Sequence, residues 1–158
     1  MVTKQTSAKT LTGDELAALR ALRPAFNVLM RGLDADLVRG HGIAHTEFLV
    51  LMSLAEAQGH TMRLSDIAEF CQQSLSAISR TVVRLEAAGW VRRQQDPIDG
   101  RGLNATLTEA GLEKFEQAHA SHLESVRRRF FAHLGDVDLH ALGEGLRRVA
   151  EQNPRARL

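Results

Sequence analysis

Apolar residues recur at helical spacing along most of this chain, and at alternate positions in one short stretch. Leu16, Leu19, Phe26, Leu29, Met30, Leu33 and Leu37 form one face of a first helix. Thr12-Gly13-Asp14-Glu15 has the capping-box spacing, so this helix is expected to begin there and run to about Arg39. Pro24 lies inside it and is expected to kink or split it. Gly40-His41-Gly42 breaks the chain, and Phe48, Leu51, Met52 and Leu54 predict a second helix from Thr46 to about Gln58. Leu64, Ile67, Ala68 and Cys71 give a short helix over 64–71, and Ile78, Val82 and Leu85 a longer one over 75–88. Ser74 is placed to cap the second of these, and Gly89 to end it in the left-handed conformation with apolar Trp90 folded back. The period then changes. Leu103, Ala105 and Leu107 alternate with Gly102, Asn104 and Thr106, which reads as a half-buried strand. Trp90–Gln95 is its partner, with turn chemistry in Asp96-Pro97-Ile98-Asp99-Gly100. Leu112, Phe115, Ala118, Leu123, Val126, Phe130 and Leu134 mark a long helix from Glu109 to about His133, capped by Thr108. Gly135-Asp136 is a stop and a new cap, and Leu139, Leu142, Leu146 and Val149 give a last helix over about 137–151. Residues 1–11 are small and polar and are expected to be disordered.

The fold class that follows is mainly α with a small β-hairpin wing. Two helices joined by a short turn, then a hairpin, make a winged helix-turn-helix over residues 44–108. The long helix cannot bury its stripe against so small a unit alone. Packing on a second copy of the chain is the natural remedy, which makes 12–40 and 109–151 dimerisation helices of a single 158-residue domain.

The outward face of the helix after Ser74 carries the chemistry. Ser76, Ala77, Ser79, Arg80 and Arg84 lie on it. Small residues permit close approach, serine bonds a base edge or a phosphate, and arginine takes guanine or phosphate, which suits a helix in a DNA major groove. Arg101 stands at the hairpin tip, where a basic residue can reach the adjacent minor groove. Read by itself it is a solvated loop arginine; after a helix-turn-helix, DNA is the stronger reading.

These residues resemble the multiple antibiotic resistance regulator (MarR) family of winged-helix regulators. The resemblance rests on Leu64-Ser65-Asp66-Ile67-Ala68, Ser79-Arg80, and Leu85-Glu86-Ala87-Ala88-Gly89-Trp90-Val91. It rests also on a wing signature of Asp99-Gly100-Arg101, five residues, Leu107-Thr108 and then Gly111. It extends to Gly42-Ile43 and Glu47-Phe48 before and the helical tail after, spanning roughly 14–150. Gly100 stands where the family often has a second arginine, and Cys71 where leucine is usual. The resemblance implies a dimeric, DNA-binding transcription regulator. Arg101 would enter the minor groove, Asp99 would hold the wing by a charge pair, and the helix from Leu75 would read the major groove. A crevice between the dimer helices and the winged helix would take a small anionic or phenolic effector, with Phe26, His45, Phe48 and Met52 as its candidate lining. Read from the residues alone, plain core is the stronger reading of the same four.

Composition adds boundaries. Hydrophobic residues are 44%, charged residues 25% and the formal net charge is +1, so charge placement matters more than its sum. Between Ser74 and Thr108 five arginines face three acids, the local excess that phosphate contacts need. One cysteine excludes an internal disulfide. No apolar run approaches 18 residues and no signal pattern opens the chain, so a cytoplasmic protein with no membrane partner is expected. Cys71 sits on a buried stripe and reads as core rather than as a redox sensor. His119 and His122 share a helix face, but further ligands are not clustered in sequence, and no metal or other cofactor is expected. With no Gly-rich phosphate loop, no nucleophile elbow and no tyrosine, an enzyme is not expected. A winged-helix module that binds protein is the alternative; it would have no need to align Arg80, Arg84 and Arg101 with a serine-lined helix. The reading favoured is a ligand-responsive repressor acting as a homodimer on an inverted-repeat operator.

Overall fold

A computed structural model describes residues 10–96 and 102–152. Its elements in order are α1 (Gly13–His41), α2 (His45–Glu56), β1 (Thr61–Arg63), α3 (Leu64–Phe70), α4 (Leu75–Ala87), β2 (Val91–Gln95), β3 (Leu103–Leu107), α5 (Glu109–Arg129) and α6 (Leu139–Gln152). Mainly α with a small antiparallel sheet, this is the winged helix-turn-helix that the hydrophobic pattern indicates.

Local chemistry accounts for most of the boundaries. The Thr12 hydroxyl accepts from the Glu15 N–H, and the Glu15 carboxylate accepts from the Thr12 N–H. Both are otherwise unsatisfied first-turn donors, so α1 starts there. It ends at Gly42, with φ 66°, a conformation that a side chain would strain. Thr108 caps α5 through the Gly111 N–H, and Ser74 caps α4 through the Ala77 N–H. At the end of α4 the Trp90 N–H bonds the Leu85 carbonyl and the Gly89 N–H the Glu86 carbonyl, with Gly89 at φ 78°. This Schellman closure turns the chain into the wing.

Several expectations are corrected. Pro24 does not split α1, which is continuous through it. The surrounding residues are exposed, so the Arg20 carbonyl that proline leaves without an N–H faces water. The sheet has three strands, not two, in the order β1-β3-β2, with Met62 opposite Ala105 and Val91 opposite Leu107. Three residues are too few for β1 to show a period in the sequence. Leu103 is exposed while Ala105 and Leu107 are buried, because the hairpin by then extends beyond the core. α5 ends at Arg129, and a 3₁₀ turn over Phe131–His133 follows. Asp138, not Asp136, caps the last helix, its carboxylate accepting from the Ala141 N–H.

The core lies between α2, α3, α4 and the sheet: Phe48, Leu51, Leu54, Ile67, Ile78, Val82, Leu85, Val91 and Ala105 are all buried there. Cys71 belongs to it, and burial pushes its thiol up to about 11. α1 joins α5 around Asp36. Its carboxylate accepts a fork from Arg129, Nε at 2.7 Å and Nη2 at 2.8 Å, and further bonds from Arg128 Nη2 at 2.8 Å and the Ser125 hydroxyl. Those donors hold the Asp36 carboxyl well below the usual carboxylate range, the Arg129 hydrogen bond foremost. Gly32 leaves room for the fork, since a Cβ there would lie 2.6 Å from Arg129 Nη1.

The two ends of this frame are bare. From Gly13 to Val28, α1 is exposed throughout, Leu19, Leu22 and Phe26 included. Leu139, Leu146 and Val149 of α6 are exposed as well, and α6 buries nothing. No helix among the described residues is long and apolar enough to cross a membrane.

Candidate nucleic-acid interface

α4 divides its residues between two surroundings. Ile78, Thr81, Val82 and Leu85 are buried, and this fixes the helix on the core. Ser74, Ser76 and Arg80 are exposed, with Ala77 and Ser79 half-buried beside them. Arg80 has no ion pair among the described residues, so its charge is offered to solvent. The hydroxyls of Ser74 and Ser76 are 3.2 Å apart, which keeps the first turn polar and compact. Small side chains with one arginine on a rigid, buried-backed helix form a surface that a groove edge can approach.

Arg84 is placed differently. Its Nε donates to Glu47 Oε1 at 2.9 Å and its Nη2 to the Thr81 hydroxyl at 3.2 Å. Glu47 is 14% exposed against 57% for Arg84, so the acid stands behind and the guanidinium outside. The other Glu47 oxygen accepts from the Ala44 N–H at the start of α2. One glutamate thus ties α2 to α4, a role its place in the first turn of α2 gave no sign of.

The wing is held at its base. Arg93 Nη2 pairs with Glu86 of α4 at 2.6 Å, and the Arg93 N–H also donates to that carboxylate. The same contacts lower the Glu86 pKa, the Arg93 side-chain bond most. Arg63, at the end of β1, pairs with Asp96 at 2.6 Å, and the Asp96 N–H donates to the Gly102 carbonyl. Sequence alone gave Asp96 only turn chemistry; thirty-three positions separate it from Arg63, with no periodic signal to connect them. Asp99 and Arg101, named from the wing signature, lie outside the described residues. Trp90 is half-buried, with Lys114 Nζ 5.0 Å from its ring.

The four candidate effector residues do not converge. Phe26 lies on the bare half of α1 and lines an apolar cavity of about 820 Å³ with Leu22, Leu29, Phe130, Leu134 and Leu146. Met52 packs against the core. His45 and Phe48 meet α5 instead. The His122 ring is 4.5 Å from Phe48 and 5.8 Å from His45, and the His119 ring is 6.3 Å from Phe48. Burial pushes the His45 and His122 pKa values down; Asp34 partly opposes this for His45, and His45 and His119 reinforce it for His122. His122 also borders a cavity of about 160 Å³ shared with Asp36, His41, Ser121 and Arg128. Among the described residues no three His, Cys, Asp or Glu side chains are grouped as a metal would need.

The family model described as MarR family matches residues 43–103. A crystal structure of Sco3205, a MarR family transcriptional regulator from Streptomyces coelicolor in complex with DNA, is 33% identical, covers 95% of this chain and 94% of its own, and superposes with a TM-score of 0.85. That of AbsC, a MarR family transcriptional regulator from the same organism, is 37% identical over 91% of this chain and 97% of its own, with a TM-score of 0.82. The Bacillus subtilis (strain 168) HTH-type transcriptional regulator YdcH is 33% identical over 92 residues, 57% of this chain and 62% of that protein, less than two thirds of its length. Identity of this size over nearly whole chains, on the same fold, goes beyond a shared architecture: the chain belongs to the MarR family and is a transcriptional regulator, not an enzyme.

Proposed function

We propose that this regulator is a homodimer that binds an inverted-repeat operator in the cytoplasm, represses transcription from it, and releases it on taking up a small phenolic or anionic effector. One observation carries the DNA reading: the polar face of α4, Ser76, Ala77, Ser79 and Arg80, stands clear of the core beside the sheet. In this reading these residues meet base edges or nearby phosphates, Ser74 and Arg84 meet phosphate, and Arg101 reaches the flanking minor groove with Asp99 shaping the wing. That Sco3205 was solved with DNA supports it. The bare apolar faces of α1 and α6 support the homodimer. Two copies then place two α4 helices on half-sites about one helical turn apart. No cofactor has a part in this. The effector would act where α2 meets α5, at His45, Phe48 and His122, beside the small cavity under Asp36. At about 160 Å³ that cavity is below the roughly 300 Å³ of common ligand pockets, so a single-ring compound is the fitting class.

Fluorescence anisotropy on the protein's own upstream DNA and on a scrambled duplex, over a salt series, tests this. Preference for the upstream duplex is expected, with log affinity falling by about 0.9 per phosphate contact for each tenfold rise in salt. Benzoate or phenol is expected to raise the dissociation constant. Equal affinity for both duplexes across other intergenic fragments as well would overturn sequence-specific binding. Absence of any binding at low salt would favour a protein-binding module.

A further inference from the structure

We propose that Arg63, which no motif assigns, grips a phosphate of the backbone strand that separates the two grooves of the operator, with Asp96 as its positioning residue. This rests on the reading above, in which α4 enters the major groove and the wing the neighbouring minor groove. Those two grooves share one sugar-phosphate strand as their common wall. Whatever lies between α4 and the wing is therefore what that strand meets.

Between them lies a cleft of about 240 Å³, lined by Arg63, Ser65, Leu75, Ser79, Gly102 and Leu103. Its chemistry matches the strand. Leu75 and Leu103 are exposed leucines that the core does not use, and they can lie against deoxyribose. Arg63 and the two serines supply a cation and hydroxyls for phosphate. A backbone that alternates apolar sugar with anionic phosphate needs both kinds of wall.

Arg63 is held ready for this. Its backbone is fixed in the sheet, opposite Asn104, and α3 begins at the next residue. Its Nη2 is 2.6 Å from Asp96 Oδ2. The acid is 6% exposed and the arginine 42%, so the carboxylate sits inside and the guanidinium faces out. A surface ion pair with both ends in water would carry no such direction. A buried acid behind an exposed arginine fixes the fork, and ordering it on binding then costs less side-chain entropy. The Asp96 N–H bond to the Gly102 carbonyl, 2.9 Å long, keeps the acid at the hairpin base.

A phosphate contact predicts a sequence-independent loss with a changed salt slope. Arg63→Met is expected to weaken the upstream and the scrambled duplex by the same factor, about tenfold. It should lower the salt slope by about 0.9. Arg63→Lys should restore the slope but not the full affinity. Asp96→Asn should leave the slope unchanged and weaken binding, because the charge stays while its position loosens. The wild-type protein supplies a test that no folding defect can mimic. Single methylphosphonate linkages are placed in turn along the operator. One position per half-site should weaken the wild type by about the factor seen for Arg63→Met, and that variant should be indifferent to the same linkage. A wild-type salt slope in a folded Arg63→Met protein, or no linkage to which that variant alone is indifferent, overturns the inference and leaves the DNA reading standing. Absence of specific binding by the wild type overturns both.

Discussion

Gly111 shows how one missing side chain can set a whole joint. A Cβ built there would lie 2.0 Å from the Trp90 carbonyl oxygen and 2.8 Å from the Leu107 side chain. The first is backbone, fixed because the Thr108 N–H donates to that same Trp90 oxygen and the Thr108 hydroxyl to the preceding Gly89 carbonyl. The first turn of α5 therefore packs directly on the chain that leads into the wing. Gly111→Ala is expected to destabilise the protein by about 3 kcal/mol or more, since overpacking against rigid backbone exceeds the usual cost of an added methyl group. Urea denaturation followed by circular dichroism measures it, and a loss under about 1 kcal/mol would refute the close fit. Asp96 works the opposite way, through what it adds. Its buried carboxylate is tolerated because Arg63 answers it.

Among the elements, the helices were legible in sequence because each carries an apolar stripe, and the clearest boundaries are those with a cap: Thr12 for α1, Ser74 to Gly89 for α4, Thr108 at the start of α5. β1 was not, being three residues long and held by its neighbour β3 rather than by any pattern of its own. The outward placement of Ser76 and Arg80 on α4 could be read for the same reason that the helix could, since what is not on the stripe must face out. The Glu47–Arg84 and Arg63–Asp96 ties could not, because long-range ion pairs leave no period. Nor could the meeting of His45 on α2 with His119 and His122 on α5 around Phe48. That junction should respond to pH. Burial lowers the proton affinity of His45 and His122 in the folded chain below the ordinary value of 6.5. As pH falls below about 6.5 the unfolded chain takes up protons that the folded one refuses, so stability is full above that value and declines beneath it. Thermal unfolding between pH 7.5 and 5 should show a falling midpoint, and the His45→Gln/His122→Gln double variant a shallower fall. Parallel curves for the two proteins would rule the pair out as the source.

For the whole molecule, the bare faces decide the outcome. Leu22 on α1 and Leu146 on α6 line one apolar cavity in the single chain and are exposed there. Light scattering is expected to give twice the chain mass for the wild type and the chain mass for a Leu22→Glu/Leu146→Glu variant. That variant should keep its helical circular dichroism, because the core around Phe48 and Ile67 lies elsewhere. It should bind the operator at least about a hundredfold more weakly, since two half-sites held at once multiply affinity by roughly 10² to 10⁴. A monomeric variant with undiminished binding would remove the dimer from the mechanism. In the proposed dimer α1 belongs to two cores at once. Its second half, with Leu33 and Leu37 buried and Asp36 joined to α5, is built into its own chain; its first half is exposed there and would lean on the other copy. A free helix of about 15 residues is marginal in water, and Pro24 removes one of its hydrogen bonds. In the proposed dimer, dilution therefore dissociates the subunits and unravels that arm in the same event. Below the dissociation constant the amount of dimer rises with the square of the chain concentration. A twofold change in gene dosage would then alter the intact regulator fourfold, which makes its own synthesis rate a control input alongside any small molecule.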